Sequence, residues 1–106
     1  MSTLAVVDIG SNSIKVAVLD GRSGRELSRA SESVRLFPAE AGAVVLSPEV
    51  IEAGAQAVAR LVALAREQQA NPVVLLGTSA LRECSNRAEF DARLRALTGL
   101  GLTVVS

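Results

Sequence analysis

Histidine is absent from the 106 residues, and cysteine occurs once, as Cys84. Within these residues that excludes a His-dependent triad, imidazole acid–base chemistry, an internal disulfide and most zinc or iron–sulfur sites. Cys84 reads as a small, partly buried hydrophobe. Aromatic residues make up 2% of the chain, two Phe with no Trp or Tyr, which leaves little for a nucleic-acid base to stack on. Net charge is lacking too. Eleven basic side chains balance 11 acidic ones, so neither nucleic acid nor an anionic membrane is expected as a partner. No apolar run approaches the ~20 residues that span a bilayer, and the N-terminus has no basic stretch followed by an apolar core. A lone cysteine is compatible with a reducing compartment, and a cytoplasmic protein is the expectation.

What is present is a core. Apolar residues are 49% of the chain, enough for one domain or part of one. With aromatics scarce, Val, Leu, Ile and Ala must fill that core, which suits a Val-rich sheet packed on Ala-rich helices. Leu4-Ala5-Val6-Val7-Asp8-Ile9 reads as a buried strand. Ile14-Lys15-Val16-Ala17-Val18-Leu19 reads as a second, with Lys15 on the side away from Ile14 and Val16. The cluster Asp20-Gly21-Arg22-Ser23-Gly24 predicts a hairpin to a third, more polar strand over about 26–36. Residues from Phe37 to Leu46 form a connection without a clear pattern.

Ser47-Pro48-Glu49 predicts a helix start, with Ser47 as cap and Pro48 in the first helical position. Ile51, Ala55, Val58, Leu61, Val62 and Ala65 then form one apolar stripe to about Gln69, where Asn71-Pro72 stops the helix. Val73 to Leu76 reads as a buried strand, residues 80–84 as a short helical turn, and Asn86-Arg87-Ala88-Glu89 as a capping box. Phe90, Leu94 and Leu97 mark a second amphipathic helix. Leu102-Thr103-Val104-Val105 begins a final strand, and the last residue is Ser106. The order βββαβαβ predicts a mixed α/β sheet, antiparallel through its first three strands and helix-linked and parallel after them.

One turn stands out chemically. Asp8 ends an apolar strand immediately before Gly10, Ser11, Asn12 and Ser13. Gly10 allows close approach of a ligand and a positive φ, successive N–H groups can form an anion-binding nest, and the three short polar side chains add donors. A carboxylate at a buried strand end is costly without a partner, for which Mg2+ is a natural choice. The same residues also suit an ordinary hairpin turn. Neither a Walker A sequence nor a dinucleotide fingerprint is present.

Val7-Asp8-Ile9-Gly10-Ser11-Asn12-Ser13-Ile14-Lys15 resembles the first phosphate motif of the exopolyphosphatase/guanosine pentaphosphate phosphatase (Ppx/GppA) family, part of the actin-like ATPase, sugar kinase and heat-shock chaperone superfamily. Val34-Arg35-Leu36 is similar to that family's third strand, and Leu46-Ser47-Pro48-Glu49 to the start of its first long helix. Thr78-Ser79-Ala80-Leu81-Arg82-Glu83-Cys84-Ser85-Asn86-Arg87-Ala88-Glu89-Phe90 resembles its Thr-Ser-Ala-x-Arg-x-x-x-Asn-Arg-x-x-Phe segment. The resemblance implies a ribonuclease-H-like fold and a hydrolase acting on terminal phosphates of polyphosphate or the 5′ γ-phosphate of guanosine pentaphosphate, assisted by Mg2+.

It also implies that Gly10, Ser11, Asn12, Ser13, Lys15, Thr78, Ser79 and Arg82 bind phosphate and that Asp8 helps place the metal. Arg82 can grip phosphate bidentately or pair with Glu83 or Glu89 at the surface. Lys15 stands where the family commonly has Arg or another basic residue, and a surface lysine is its other reading. Asn86 reads as a helix cap, and Arg87 as a solvated or structural partner. No residue here matches the family's water-activating Glu, which the resemblance puts just after the final strand, beyond Ser106. The family's second phosphate loop and second domain match nothing here either. Residues 1–106 are therefore expected to be the N-terminal part of the first domain, inactive alone, with apolar edges through which a homodimer could pair. Two other readings stand beside this one: half of an ATP-dependent kinase or ATPase of the same superfamily, and a non-catalytic phosphate or nucleotide sensor.

Overall fold

Alternation along the first two strands decides which face of the sheet is buried. In β1 (Thr3–Ile9) and β2 (Ser13–Asp20), Ala5, Val7, Ile9, Ile14, Val16 and Val18 share one face and are all buried. Asp8 and Lys15 project from the other face and are exposed, as the pattern around Lys15 predicts. This computed structural model describes residues 2–37 and 45–104, and of residues 79 and 80 the backbone alone. Residues 38–44, most of the unassigned connection, lie outside the described residues. So do Val105 and Ser106, the end of the expected final strand.

β1 and β2 pair antiparallel from Thr3 opposite Asp20 to Ile9 opposite Ile14. The turn that follows is held by the Asp20 carboxylate, which accepts from the Arg22 N–H at 3.0 Å and the Ser23 hydroxyl at 3.1 Å. β3 (Glu26–Ser33) then pairs antiparallel with β2. It stops short of the predicted Leu36. Leu36 instead turns into the core, and its N–H donates to the Ser11 carbonyl at 2.8 Å.

α1 (Pro48–Glu67) opens as predicted, with the Ser47 hydroxyl accepting from the Val50 N–H at 3.2 Å. It ends two residues before Gln69. Gln69 takes a left-handed φ of 62°, while the N–H groups of Gln69 and Ala70 return to the carbonyls of Arg66 and Ala65. That is the Schellman arrangement, made here without glycine. β4 (Val73–Gly77) pairs parallel with β1. Next come α2 (Ser79–Arg82), which is the predicted short turn, then α3 (Arg87–Thr98) and β5 (Leu102–Val104), parallel to β4. The sheet order β3-β2-β1-β4-β5 is the expected mixed α/β arrangement, with β1 at its centre. No helix among the described residues is long and apolar enough to cross a membrane.

α1 lays Ala55, Ala57, Val58, Leu61, Val62 and Ala65 on the sheet and core, all buried. On its flank Gly54 meets Phe90 of α3 and Leu36. A Cβ there would sit 3.0 Å from Leu36 Cδ2 and 3.3 Å from Phe90 Cε1. Ion pairs brace the same layers. Glu52 receives a two-pronged contact from Arg93 of α3 at 2.7 and 3.1 Å, and Arg60 reaches Glu32 of β3 at 2.6 and 2.8 Å. The Asp91 carboxylate accepts from the Leu102 N–H at 2.7 Å, fixing β5 to α3.

Two outcomes follow from this packing. Gly54→Ala should destabilise the protein by about 1–3 kcal/mol through overpacking, measured by urea denaturation. The Arg93 guanidinium, helped by Gln56, pulls the Glu52 carboxyl down from 4.5 to about 2. Asp20, Glu26, Glu32 and Asp91 are lowered as well. Groups with depressed folded values contribute stability above their unfolded values and lose it as pH falls through the folded ones. The thermal midpoint should therefore fall as pH drops from about 5 to about 2, less steeply in Glu52→Gln. It should be nearly flat from pH ~6 to ~7.5, where no histidine titrates.

Candidate functional site: the shared end of β1 and β4

Because β1 and β4 are parallel, both deliver their C-terminal residues to one edge of the sheet. Ile9 lies opposite Gly77, and the Thr78 N–H points to the Ile9 carbonyl at 3.4 Å. The Gly10–Ser13 turn and Thr78 thus sit side by side, as the sequence predicts. Ligands of open α/β sheets bind at such carboxyl edges.

The turn differs from the sequence expectation in one respect. Among the described residues only Gln69, Gly24 and Gly99 have left-handed φ, so Gly10 does not take one. Glycine serves there by its size: the Gly10 N–H donates to the Ser13 carbonyl at 3.0 Å, and a Cβ on Gly10 would lie 3.2 Å from that oxygen. An anion nest of alternating backbone hands is accordingly not formed. What the turn offers instead is the N–H groups of Ser11 and Asn12, which donate to nothing among the described residues. The short side chains of Ser11, Asn12 and Ser13 stand beside them.

Asp8 also departs from expectation. Strand alternation turns its carboxylate to the exposed face, so it needs no partner to offset burial. Its cross-strand neighbour is Lys15, likewise exposed, and neither joins an ion pair among the described residues. Both line a groove of about 570 Å³ on that face, together with Val6, Ala17, Arg29 and Ser31. Arg29 is committed to Glu26 at 2.9 and 2.8 Å.

Past Thr78 the chain bends into α2, whose first turn is closed by the N–H groups of Leu81 and Arg82 on the Thr78 carbonyl, at 3.0 and 3.2 Å. Ser79 opens this helix, and its side chain lies outside the described atoms. Arg82 ends it, half-exposed, with Nε 3.9 Å from Glu83 Oε1, the surface pairing left open by the sequence. Asp8, Gly10, Ser11, Asn12, Ser13, Lys15 and Thr78 are therefore gathered at one strand end, and Ser79 and Arg82 lie on the short helix that follows. The general-base Glu expected after Ser106 has no counterpart among the gathered residues, and Ser106 itself lies outside the described residues.

Asn86 corrects a further expectation: its side chain does not cap α3. Its carboxamide instead accepts from the Leu46 N–H at 2.9 Å and donates to the Leu46 carbonyl at 2.8 Å. Arg87 is a structural partner, donating to the Arg82 carbonyl at 3.3 Å. Cys84 is buried, as predicted. Sequence reasoning missed Leu36 as a support of the turn. Its only signal is an apolar residue closing an otherwise polar stretch.

These features define a class: one half of a ribonuclease-H-like fold of the actin-like ATPase type, with a polar turn at the carboxyl edge of its sheet. The chain is similar to the Aquifex aeolicus Ppx/GppA phosphatase, with a TM-score of 0.86 and 22% identity over 99% of this chain and 36% of that one. It is similar to an exopolyphosphatase from Cytophaga hutchinsonii, with a TM-score of 0.88 and 19% identity over 98% of this chain and 34% of that one. The inorganic polyphosphate/ATP-glucomannokinase of an Arthrobacter strain shares the fold more loosely, with a TM-score of 0.63 and 24% identity over 100% of this chain and 44% of that one. The chain spans about a third of the length of the two phosphatase structures. It belongs to the Ppx/GppA phosphatase family, whose sequence pattern matches residues 15–106.

Gly10→Ala tests the geometry of the turn. The added methyl must push the Ser13 carbonyl away, and a loss of about 1 kcal/mol is expected from the tight contact. Differential scanning calorimetry reads this as a lowered midpoint, and no change would show that the turn gives way freely.

Proposed function

We propose that this chain forms one wall of a phosphohydrolase site that removes the terminal phosphate of inorganic polyphosphate or the 5′ γ-phosphate of guanosine pentaphosphate. The observation that carries this reading is the meeting of the Gly10–Ser13 turn with Thr78 at the shared end of β1 and β4. Phosphate oxygens need several convergent donors, and this edge supplies them from two segments far apart in sequence. The N–H groups of Ser11 and Asn12, and the side chains of Ser11, Asn12, Ser13 and Thr78, donate to phosphate, and Ser79 opens the helix beside them. Lys15 adds a point charge. Arg82 makes a two-pronged, charge-assisted bond to phosphate.

Asp8 is the metal-binding member. No cluster of three or more His, Cys, Asp or Glu side chains that could hold a metal ion occurs among the described residues. A single exposed carboxylate beside a phosphate site suits Mg2+, which keeps several waters and takes one or two carboxylates plus substrate phosphates. When bound, Mg2+ supplies neutralisation of phosphate charge. The chain's own residues hold and orient the polyanion, the larger part of phosphoryl-transfer catalysis. The role of water-activating base is assigned to none of them.

The family membership favours hydrolysis over the kinase reading, and the phosphatase structures match at TM-scores of 0.86 and 0.88 against 0.63 for the glucomannokinase. Calorimetric titration with tripolyphosphate tests the wall directly. Arg82→Ala should weaken binding by about 10–100-fold, the worth of a hydrogen bond to a charged group. Affinity unchanged in both Arg82→Ala and Ser11→Ala would refute the site. The 106-residue chain should release no phosphate from polyphosphate above an Asp8→Ala control, and efficient release would place the base within it.

A further inference from the structure

The reading above makes Arg82 a phosphate ligand, so what holds the chain just beyond it bears on the site. Arg82 ends the four-residue α2, whose start is held by the Thr78 carbonyl. Four residues on, Asn86 uses the whole hydrogen-bonding capacity of its carboxamide. The oxygen accepts from the Leu46 N–H at 2.9 Å and from the Cys84 thiol at 3.2 Å. The nitrogen donates to the Leu46 carbonyl at 2.8 Å and to Glu89 Oε2 at 3.2 Å. The paired bonds to Leu46 imitate what a neighbouring strand would make, so one side chain stands in for a length of backbone pairing.

Leu46 is itself well anchored. Its side chain is buried, and it directly precedes Ser47, the cap of α1. Between Arg82 and Asn86 the turn is tied at two further points. The Cys84 N–H returns to the Leu81 carbonyl at 3.1 Å, and Arg87 donates to the Arg82 carbonyl at 3.3 Å. Leu81 is buried, so its side chain acts as the floor of the turn.

We propose that Asn86 is a positioning residue for the phosphate site, clamping the 82–86 turn to Leu46 at the start of α1 and so setting where Arg82 is presented. This deepens the proposed function and rests on its assignment of Arg82. Asn86 touches no phosphate. Its effect on binding is carried wholly by Arg82.

A double-mutant cycle on tripolyphosphate binding, run well below every variant's unfolding midpoint, tests the claim. Asn86→Ala should weaken binding by about tenfold, comparable to losing one charge-assisted bond. In an Arg82→Ala background the same change should have no further effect, because the group it positions is gone. Hydrogen exchange gives the second readout: the Arg82 and Cys84 amides should lose protection in Asn86→Ala while those of β1 and α1 keep theirs. A merely structural role would lower the unfolding midpoint and leave the affinity of the folded protein alone, which overturns the proposal. Equal weakening in both backgrounds overturns it too. If Arg82→Ala does not weaken binding, the Arg82 assignment fails and this proposal fails with it. Weakening by Arg82→Ala without weakening by Asn86→Ala sinks the positioning role alone.

Discussion

Parallel pairing between β1 and β4 is the constraint on which the rest of this structure depends. An antiparallel neighbour can be reached by a tight hairpin, and β2 and β3 are. A parallel neighbour requires the chain to travel back along the sheet, and that return is α1. The helix therefore does two things at once. It closes the core over Val7, Ile9, Val16 and Leu75, and it returns β4 in the register that puts Gly77 beside Ile9. Every candidate ligand contact at the edge inherits its position from that register, since a slip of one residue would also turn the buried faces outward.

The scarcity of aromatic side chains shapes how the layers meet. Phe90 is the one aromatic residue in the fully buried core of the described residues, and it is placed where Gly54 leaves room for it. Elsewhere small alanines on α1 let helix and sheet approach closely. The charged bridges Glu52–Arg93 and Arg60–Glu32 lie at the margins of these layers, partly exposed, and serve to orient more than to stabilise.

Much of this is legible in the sequence. Alternation in β1 and β2, the Ser47-Pro48 helix start and the apolar stripe of α1 are local patterns, and local patterns survive folding intact. The gathering of Gly10–Ser13 with Thr78 is legible as well, because two apolar strands each ending in small polar residues belong at one sheet edge. The misreadings share a cause. Asn86 reads as a cap because its sequence neighbours suit one, yet its true partner, Leu46, is 40 residues away. Gly10 reads as a left-handed residue because glycine often is one, whereas the need there is for space beside Ser13. Asp8 reads as buried because its strand is apolar, and only the pairing of faces shows it exposed. Leu36 reads as the end of a strand, and nothing local shows that it holds the turn from the side.

That last contact carries a thermodynamic consequence. The turn is tied internally by Gly10 to Ser13 and externally by Leu36 to the Ser11 carbonyl, so its backbone is fixed at two points before any ligand arrives. Ordering a mobile loop costs about 1–2 kcal/mol for each residue fixed, and ordering on binding lowers affinity by that amount. Here two backbone hydrogen bonds supply part of that ordering once the chain folds. Under the proposed function, a polyanion at this edge meets a turn whose backbone is already tied, which leaves more of the binding free energy for discriminating between substrates.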